Sequence, residues 1–519
     1  MAVPPVPQSR TATAVRAARV PLLLDIVIGL LIAAALPLAV VAIPNTISLV
    51  ATLLPPGISH IDMMRMHGLA LPAMLLTVPL AMLAVRRFRA APMAVAGLIV
   101  LALADVAGGY ANSVATVGVL RALHGVGAGV LVTATLAAVY ERPRWRILLA
   151  IWGAALAASM VTAQALALWP LDGADSWRIT LQPYPLLTGV ALVLAAAYLV
   201  LWLIAGDARR DDEDGAAADS GSAGEDPAAA RRRLVVVCLL GVVVAALSVG
   251  MSFGWPWYLV IAGAVAAVIV LLAFGALLPP EPRGGRTPAF AALGTGLVIL
   301  PATAQVTIIE LRGVGGPGLK ELWIPFAVAA VVALGAAIGT ALAPESLAEK
   351  APSLGLVAVV AGLAAIRIIV PSPSGAPLTL PFALLAAGAA VTLLGAFRLA
   401  RPGSALAALA LCLGGVLAGF LLGTAAQVYQ LMGLGEAVPT KLMVVNRFVE
   451  ALHLWALATG FVVVAIIVLT ALLARRSGAA TAAAAGPEPA RGDGEVVIPA
   501  PTRSPEEGGG LAGGPISDR

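Results

Sequence analysis

Charge is scarce in this chain. Of its 519 residues, 11% are Asp, Glu, Lys or Arg, against roughly 25% in a soluble globular protein. A soluble protein of this length would form three or four domains and need far more charge to cover them. Lysine is nearly absent: three residues, Lys320, Lys350 and Lys441, stand against 29 arginines. That bias fits a GC-rich, actinobacterial genome. Both cysteines, Cys238 and Cys412, lie in apolar runs and read as buried hydrophobes, with no disulfide or metal ligation expected. Zinc-ligand spacings, a phosphate loop and an HExxH motif are missing. These absences exclude a soluble enzyme, a nucleic-acid binder and a disordered scaffold. No cofactor and no catalytic residue are expected.

Apolar residues make up 60% of the chain. A bilayer lets such side chains face outward on every helix. Fourteen segments reach the roughly 20 apolar residues that a span needs: 22–53, 66–85, 92–112, 115–139, 146–169, 184–205, 234–253, 256–279, 288–311, 321–343, 351–371, 377–397, 403–431 and 440–474. The first is too long for a simple span. It must tilt, kink near Pro37 or Pro44, protrude, or begin with an interfacial piece.

With the N-terminus in the cytoplasm, inside loops carry 21 basic residues and outside loops five. A missed span would scramble this positive-inside alternation. Trp169, Trp177, Trp255, Trp257 and Trp323 fall at outer ends, where interfacial aromatics belong. A cytoplasmic N-terminus (1–21) thus precedes six helices (22–205). A linker without periodicity (206–233), an extra hairpin (234–279), six more helices (288–474) and a cytoplasmic tail (475–519) follow. Linker and tail have the composition of disordered segments. The fold class is an all-α polytopic membrane protein in a 6 + 2 + 6 arrangement, placed in the plasma (inner) membrane with both termini cytoplasmic.

Four stretches carry a resemblance. Arg121-Ala-Leu-His124-Gly125-Val-Gly127-Ala-Gly129 in the fourth segment resembles the helix-4 motif of the major facilitator superfamily. Leu83-Ala-Val85-Arg86-Arg87-Phe88-Arg89 stands where that family has its GxLaDrxGrk gating loop. Arg86 and Arg89 match, while Val85 replaces the family Asp and Phe88 the family Gly. Pro44-Asn45-Thr46-Ile47-Ser48-Leu49-Val50-Ala51 resembles the DxTIVNVALP signature of the fourteen-helix drug–proton antiporter branch, without its Asp. Asp175-Ser-Trp177-Arg178 resembles that branch's approach to helix 6. The branch's helix-5 Gly-Pro motif is not recognisable in Gly153–Leu168. The resemblance implies two six-helix bundles rocking about a central cavity.

An ionisable group at mid-membrane costs roughly 3 kcal/mol, so it pairs or lines water. Asp105 and Arg121 lie at similar depth on adjacent helices, which predicts a salt bridge. It is either a structural lock or, as the resemblance implies for the helix-4 Arg, a modulator of a nearby acid's protonation. His124 stands one turn from Arg121. Arg447, Glu450 and His453, at steps of three beside Asn446, form a second polar stripe: a proton site, or a packing surface. Asp105, Arg121 and Glu450 are the proton-coupling candidates. His124, Gln427, Tyr429, Asn446, Arg447 and His453 are the cavity-lining candidates. Arg367 is expected to snorkel or to bind an anionic group, and Asp25 and Glu310 to be interfacial.

Two functions compete. The first is a secondary transporter, a proton-coupled exporter of an amphipathic or hydrophobic small molecule. The alternative is a transporter-like scaffold without transport activity, in cell-envelope or lipid handling, with a protein partner bound through the tail. The expected partners are a small-molecule substrate, protons and the lipid bilayer.

Overall fold

Helices dominate because most of the chain is apolar and a backbone in lipid must bond to itself. A computed structural model describes residues 10–213, 227–252, 254–312, 318–432 and 440–484. Among them there is no strand, only an isolated bridge between Glu281 and Gly285. The helices are α1 (Arg10–Val41), α2 (His60–His67), α3 (Ala70–Phe88), α4 (Ala90–Gly108), α5 (Val114–Tyr140), α6 (Trp145–Leu168), α7 (Pro185–Glu213) and α8 (Pro227–Ser252). They continue with α9 (Trp257–Leu277), α10 (Thr287–Arg312), α11 (Leu319–Leu342), α12 (Glu345–Ile369), α13 (Thr379–Leu399), α14 (Pro402–Met432) and α15 (Lys441–Ala484). Taken with α2 and α3 as one span, fourteen are long and apolar enough to cross a membrane.

The first segment, expected over 22–53, crosses only as Val20–Val41. Pro44 lacks an N–H and disfavours helix in the residue before it. The chain leaves the helix there and makes two 3₁₀ turns, Ile47–Leu49 and Ala51–Leu53. Helix also enters the expected linker from both sides, through Glu213 and from Pro227, and runs past residue 474 to Ala484. The rest of these segments, 214–226 and 485–519, lies outside the described residues. Residues up to Ala474 form one compact unit and Arg475–Arg519 another.

Packing repeats between the first six spans and the last six. In each set the first span packs on the fifth (α1 on α6, α10 on α14) and the third on the fourth (α4 on α5, α12 on α13). The second packs on the fourth in each (α3 on α5, α11 on α13). Across the seam the second meets the fifth in both directions: α3 meets α14, and α11 meets α6. This reciprocity is the mark of two related bundles. Helices α8 and α9 stand outside the repeat, α8 against α3 and α14, α9 against α14.

Within a bundle the backbones touch. A Cβ on Gly127 would lie 2.9 Å from the Gly97 carbonyl oxygen, and one on Gly129 2.8 Å from that of Met74. Gly415 meets the Leu293 carbonyl at 2.6 Å in the same way. Lipid tails are as apolar as leucine, so close packing of this kind, rather than expulsion of water, holds membrane helices together. Between the bundles, side chains make the contact. Trp152 sets its edge against Phe397 (centroids 5.2 Å), the Tyr140 hydroxyl donates to the Phe397 carbonyl (2.7 Å), and Trp169 meets Trp323 (5.8 Å) at the opposite end.

The arginine-rich end is tied by carboxylates. Asp25, expected to be interfacial, receives Arg142 at 2.6 Å and Arg144 at 3.6 Å. Glu345 bridges the bundles, 3.7 Å from Arg146 and 3.9 Å from Arg283. Glu281 accepts the Arg401 N–H (3.1 Å) and the Ser404 hydroxyl at the head of α14, and pairs with Arg233 of α8 (3.9 Å). It is buried and anchors the extra hairpin to α14. Glu281→Ala should therefore destabilise the protein by about 3 kcal/mol, and Glu281→Gln by less. Thermal unfolding of the purified pair of variants measures both; equal losses would contradict the ionic part of this anchor.

Candidate functional site

The expected Asp105–Arg121 salt bridge does not form. Arg121 is buried, 3% exposed, and turns to backbone instead. Its Nε donates to the His67 carbonyl (2.9 Å), and Nη2 to those of Ala42 (2.6 Å) and Pro44 (3.3 Å). These carbonyls follow the end of α1 and close α2. A helix C-terminus leaves carbonyls without partners and carries partial negative charge, so a guanidinium is well placed there. The helix-1 signature lacks its acid, and Arg121 takes main-chain oxygens of that same segment in its place.

Asp105 on α4 pairs with His124, one turn along α5 from Arg121. Its Oδ1 lies 2.9 Å from His124 Nε2, and its Oδ2 accepts the Thr188 hydroxyl of α7 at 2.8 Å. His124 Nδ1 lies 2.8 Å from the Leu120 carbonyl. A carbonyl only accepts, so the hydrogen-bond network assigns the hydrogen to Nδ1. Nε2 then faces Asp105 Oδ1 at 2.9 Å, a position from which the two groups can share a proton.

Asp105, Arg121 and His124 line one cleft with Leu38, Ala42, Tyr184 and Thr188. It lies inside the first bundle, between α1, α4, α5 and the start of α7. Its volume is about 20 Å³, close to the space of one water. Tyr184 and Thr188 were not expected from sequence. Their signal is a polar pair four residues apart at the head of an apolar segment.

The second expected stripe lies elsewhere. Arg447 Nη1 and Glu450 Oε2 pair at 2.6 Å on an exposed face of α15, and His453 Nε2 contacts the Val370 carbonyl at 2.9 Å. None of the three lines the cleft. Gln427 is half-buried, while Tyr429 and Asn446 are exposed. Arg367 is exposed. Glu310, expected to be interfacial, is buried and accepts the Ser372 N–H at 3.0 Å. An exposed i, i+3 pair contributes little. Glu450→Gln should change stability by under about 0.5 kcal/mol; a larger loss on thermal unfolding would contradict an exposed pair.

Of the expected gating-loop residues, Arg86 lies in the last turn of α3 and Arg89 between α3 and α4, and both are exposed. Arg89 has φ 64°, the one positive value among described non-glycine residues. It ends α3 where the family motif places its Gly–Arg step. Glu141, which caps the end of α5, accepts the Ala90 N–H through Oε1 at 3.2 Å. Burial pushes the Glu141 carboxyl up, opposed by that N–H and by Arg89 and Arg142.

No family model and no curated protein matches the chain. Solved structures do. The proton:xylose symporter XylE of the major facilitator superfamily, bound to 6-bromo-6-deoxy-D-glucose, superposes with a TM-score of 0.50 at 11% identity, over 85% of this chain and 95% of that one. The POT family transporter PepTSo gives 0.52 at 14% identity, over 87% and 99%. A bacterial homologue of the human lysosomal transporter Spinster, inward-facing and unoccupied, gives 0.50 at 15%, over 88% and 97%. At such identities the likeness is one of architecture, and it gives this multi-pass membrane protein a major-facilitator-like fold.

Proposed function

We propose that the chain is a proton-coupled secondary transporter that exports an amphipathic or hydrophobic small molecule. Two six-helix bundles, 22–205 and 288–474, alternate access to a path along their seam. The observation that carries the reading is the buried Asp105–His124 pair, whose Oδ1 and Nε2 stand close enough to share a proton. Two of the similar structures are described as a proton:xylose symporter and as proton dependent oligopeptide transporters, and these names support the same reading. The fourteen spans and the helix-1 and helix-4 motifs support a place beside the drug–proton antiporter branch.

Asp105 and His124 hold the coupling proton, and Thr188 orients the carboxylate. Arg121 keeps the α1 and α2 ends fixed around the pair. The seam offers hydroxyls and amides rather than charge: Thr303 of α10 donates to Met160 of α6 (3.4 Å), and Gln164 and Gln305 are buried. The arginine-rich end is cytoplasmic by the positive-inside rule. Purified protein in liposomes, given a pH gradient and a panel of lipophilic fluorescent compounds, tests the reading. Flux that follows the gradient is expected. Flux of no compound, together with stable co-purification of a protein partner, would favour the scaffold role instead.

A further inference from the structure

The cleft holds more positive charge than its protein partners answer. Arg121 meets three carbonyls and no carboxylate. Its Nη1 makes no hydrogen bond among the described residues, although the side chain lines the cleft. Asp105 turns its two oxygens to His124 and Thr188 and makes no ion pair with Arg121. While that pair keeps its proton, it is neutral as a unit.

Two other titratable groups stand nearby. The buried His67 ring has both nitrogens unpartnered, and the Tyr184 hydroxyl donates to the Leu166 carbonyl at 2.7 Å. Neither supplies negative charge near neutral pH. From α1 and the residue after it the cleft receives Leu38, Val41 and Ala42, none of them charged. The cluster therefore carries one unit of positive charge with the proton bound and none once the proton leaves.

We infer that this cleft takes up a single small monovalent anion, of about the size of chloride, together with the proton on Asp105–His124. Nη1 of Arg121 is its hydrogen-bond donor. The inference rests on the proton reading of the same pair. About 20 Å³ accommodates one particle close to a water in size. Proton and anion answer each other's charge. Each raises the affinity of the other, and by linkage the two effects are equal.

The test uses the full-length protein in detergent, with chloride or bromide replaced by gluconate at constant ionic strength. Thermal unfolding is followed at about pH 5.5 and about pH 9, either side of the range where an imidazole changes charge. Halide-specific stabilisation is expected at the lower pH, with apparent affinity at least about tenfold weaker at the higher. Arg121→Gln should abolish it. Asp105→Asn should keep it at both pH values, because the cluster then stays positive. No halide effect in the unmodified protein, an effect equal at both pH values, or its loss in Asp105→Asn would each overturn the inference. Should Arg121→Gln fail to fold, the Asp105→Asn comparison decides alone. Absence of a halide effect, with Asp105→Asn still blocking proton-driven flux, would sink the anion and leave the proton site standing.

Discussion

Asp105→Asn should reduce gradient-driven flux to the leak of protein-free vesicles while the protein folds normally. The asparagine amide has the shape of the protonated carboxyl. Its N–H₂ can donate to His124 Nε2, and its oxygen can still accept the Thr188 hydroxyl. Both bonds survive, and His124 keeps its bond to the Leu120 carbonyl. What disappears is the ability to release the proton. Stability within about 1 kcal/mol of the unmodified protein is expected, since no buried group is left unpaired. Thermal unfolding and liposome flux, measured on one preparation, separate the two effects. Undiminished gradient-driven flux in Asp105→Asn would remove the pair from the coupling mechanism.

Gly125→Leu should prevent the protein from accumulating in the membrane. A Cβ at this position would overlap the carbonyl of Ala70 on α3, and Ala73 stands beside it at 2.9 Å. Overpacking a core typically costs 1–3 kcal/mol when side chains can move aside. Here the obstacle is backbone, so the expected loss exceeds about 4 kcal/mol, a large share of a typical 5–15. Gly339→Leu on α11 is the control. Nothing lies within 4 Å of that position, and normal expression is expected. Equal expression of the two variants would contradict the backbone contact.

The span count was legible because each hydrophobic run is long and the arginines alternate in sign of side with every crossing. The end of α1 was not. The run continues to Leu54 in composition, and only Pro44 marks where helix gives way to 3₁₀ turns. Asp105 and Arg121 were legible as rare intramembrane charges, but their partners were not. Depth along the helices allowed the two to meet. The unpaired carbonyls beyond α1 and α2 took Arg121 instead, and helix ends do not appear in a count of side chains. Thr188 lies 83 residues from Asp105 in a segment that read as plain span. Its role depends on α7 crossing α4, which a single sequence does not fix.

The glycine contacts limit how the helices can move. Where Gly97 faces Gly127, or Gly355 faces Gly388, backbone oxygens stand within 3.1 Å of where a Cβ would be. Two such helices cannot slide by a fraction of a turn without collision. Fourteen spans therefore have far fewer mechanical degrees of freedom than their number suggests. The soft coordinate left to the molecule is the seam of tryptophan, phenylalanine and tyrosine side chains, where rotamers can exchange without driving one backbone into another.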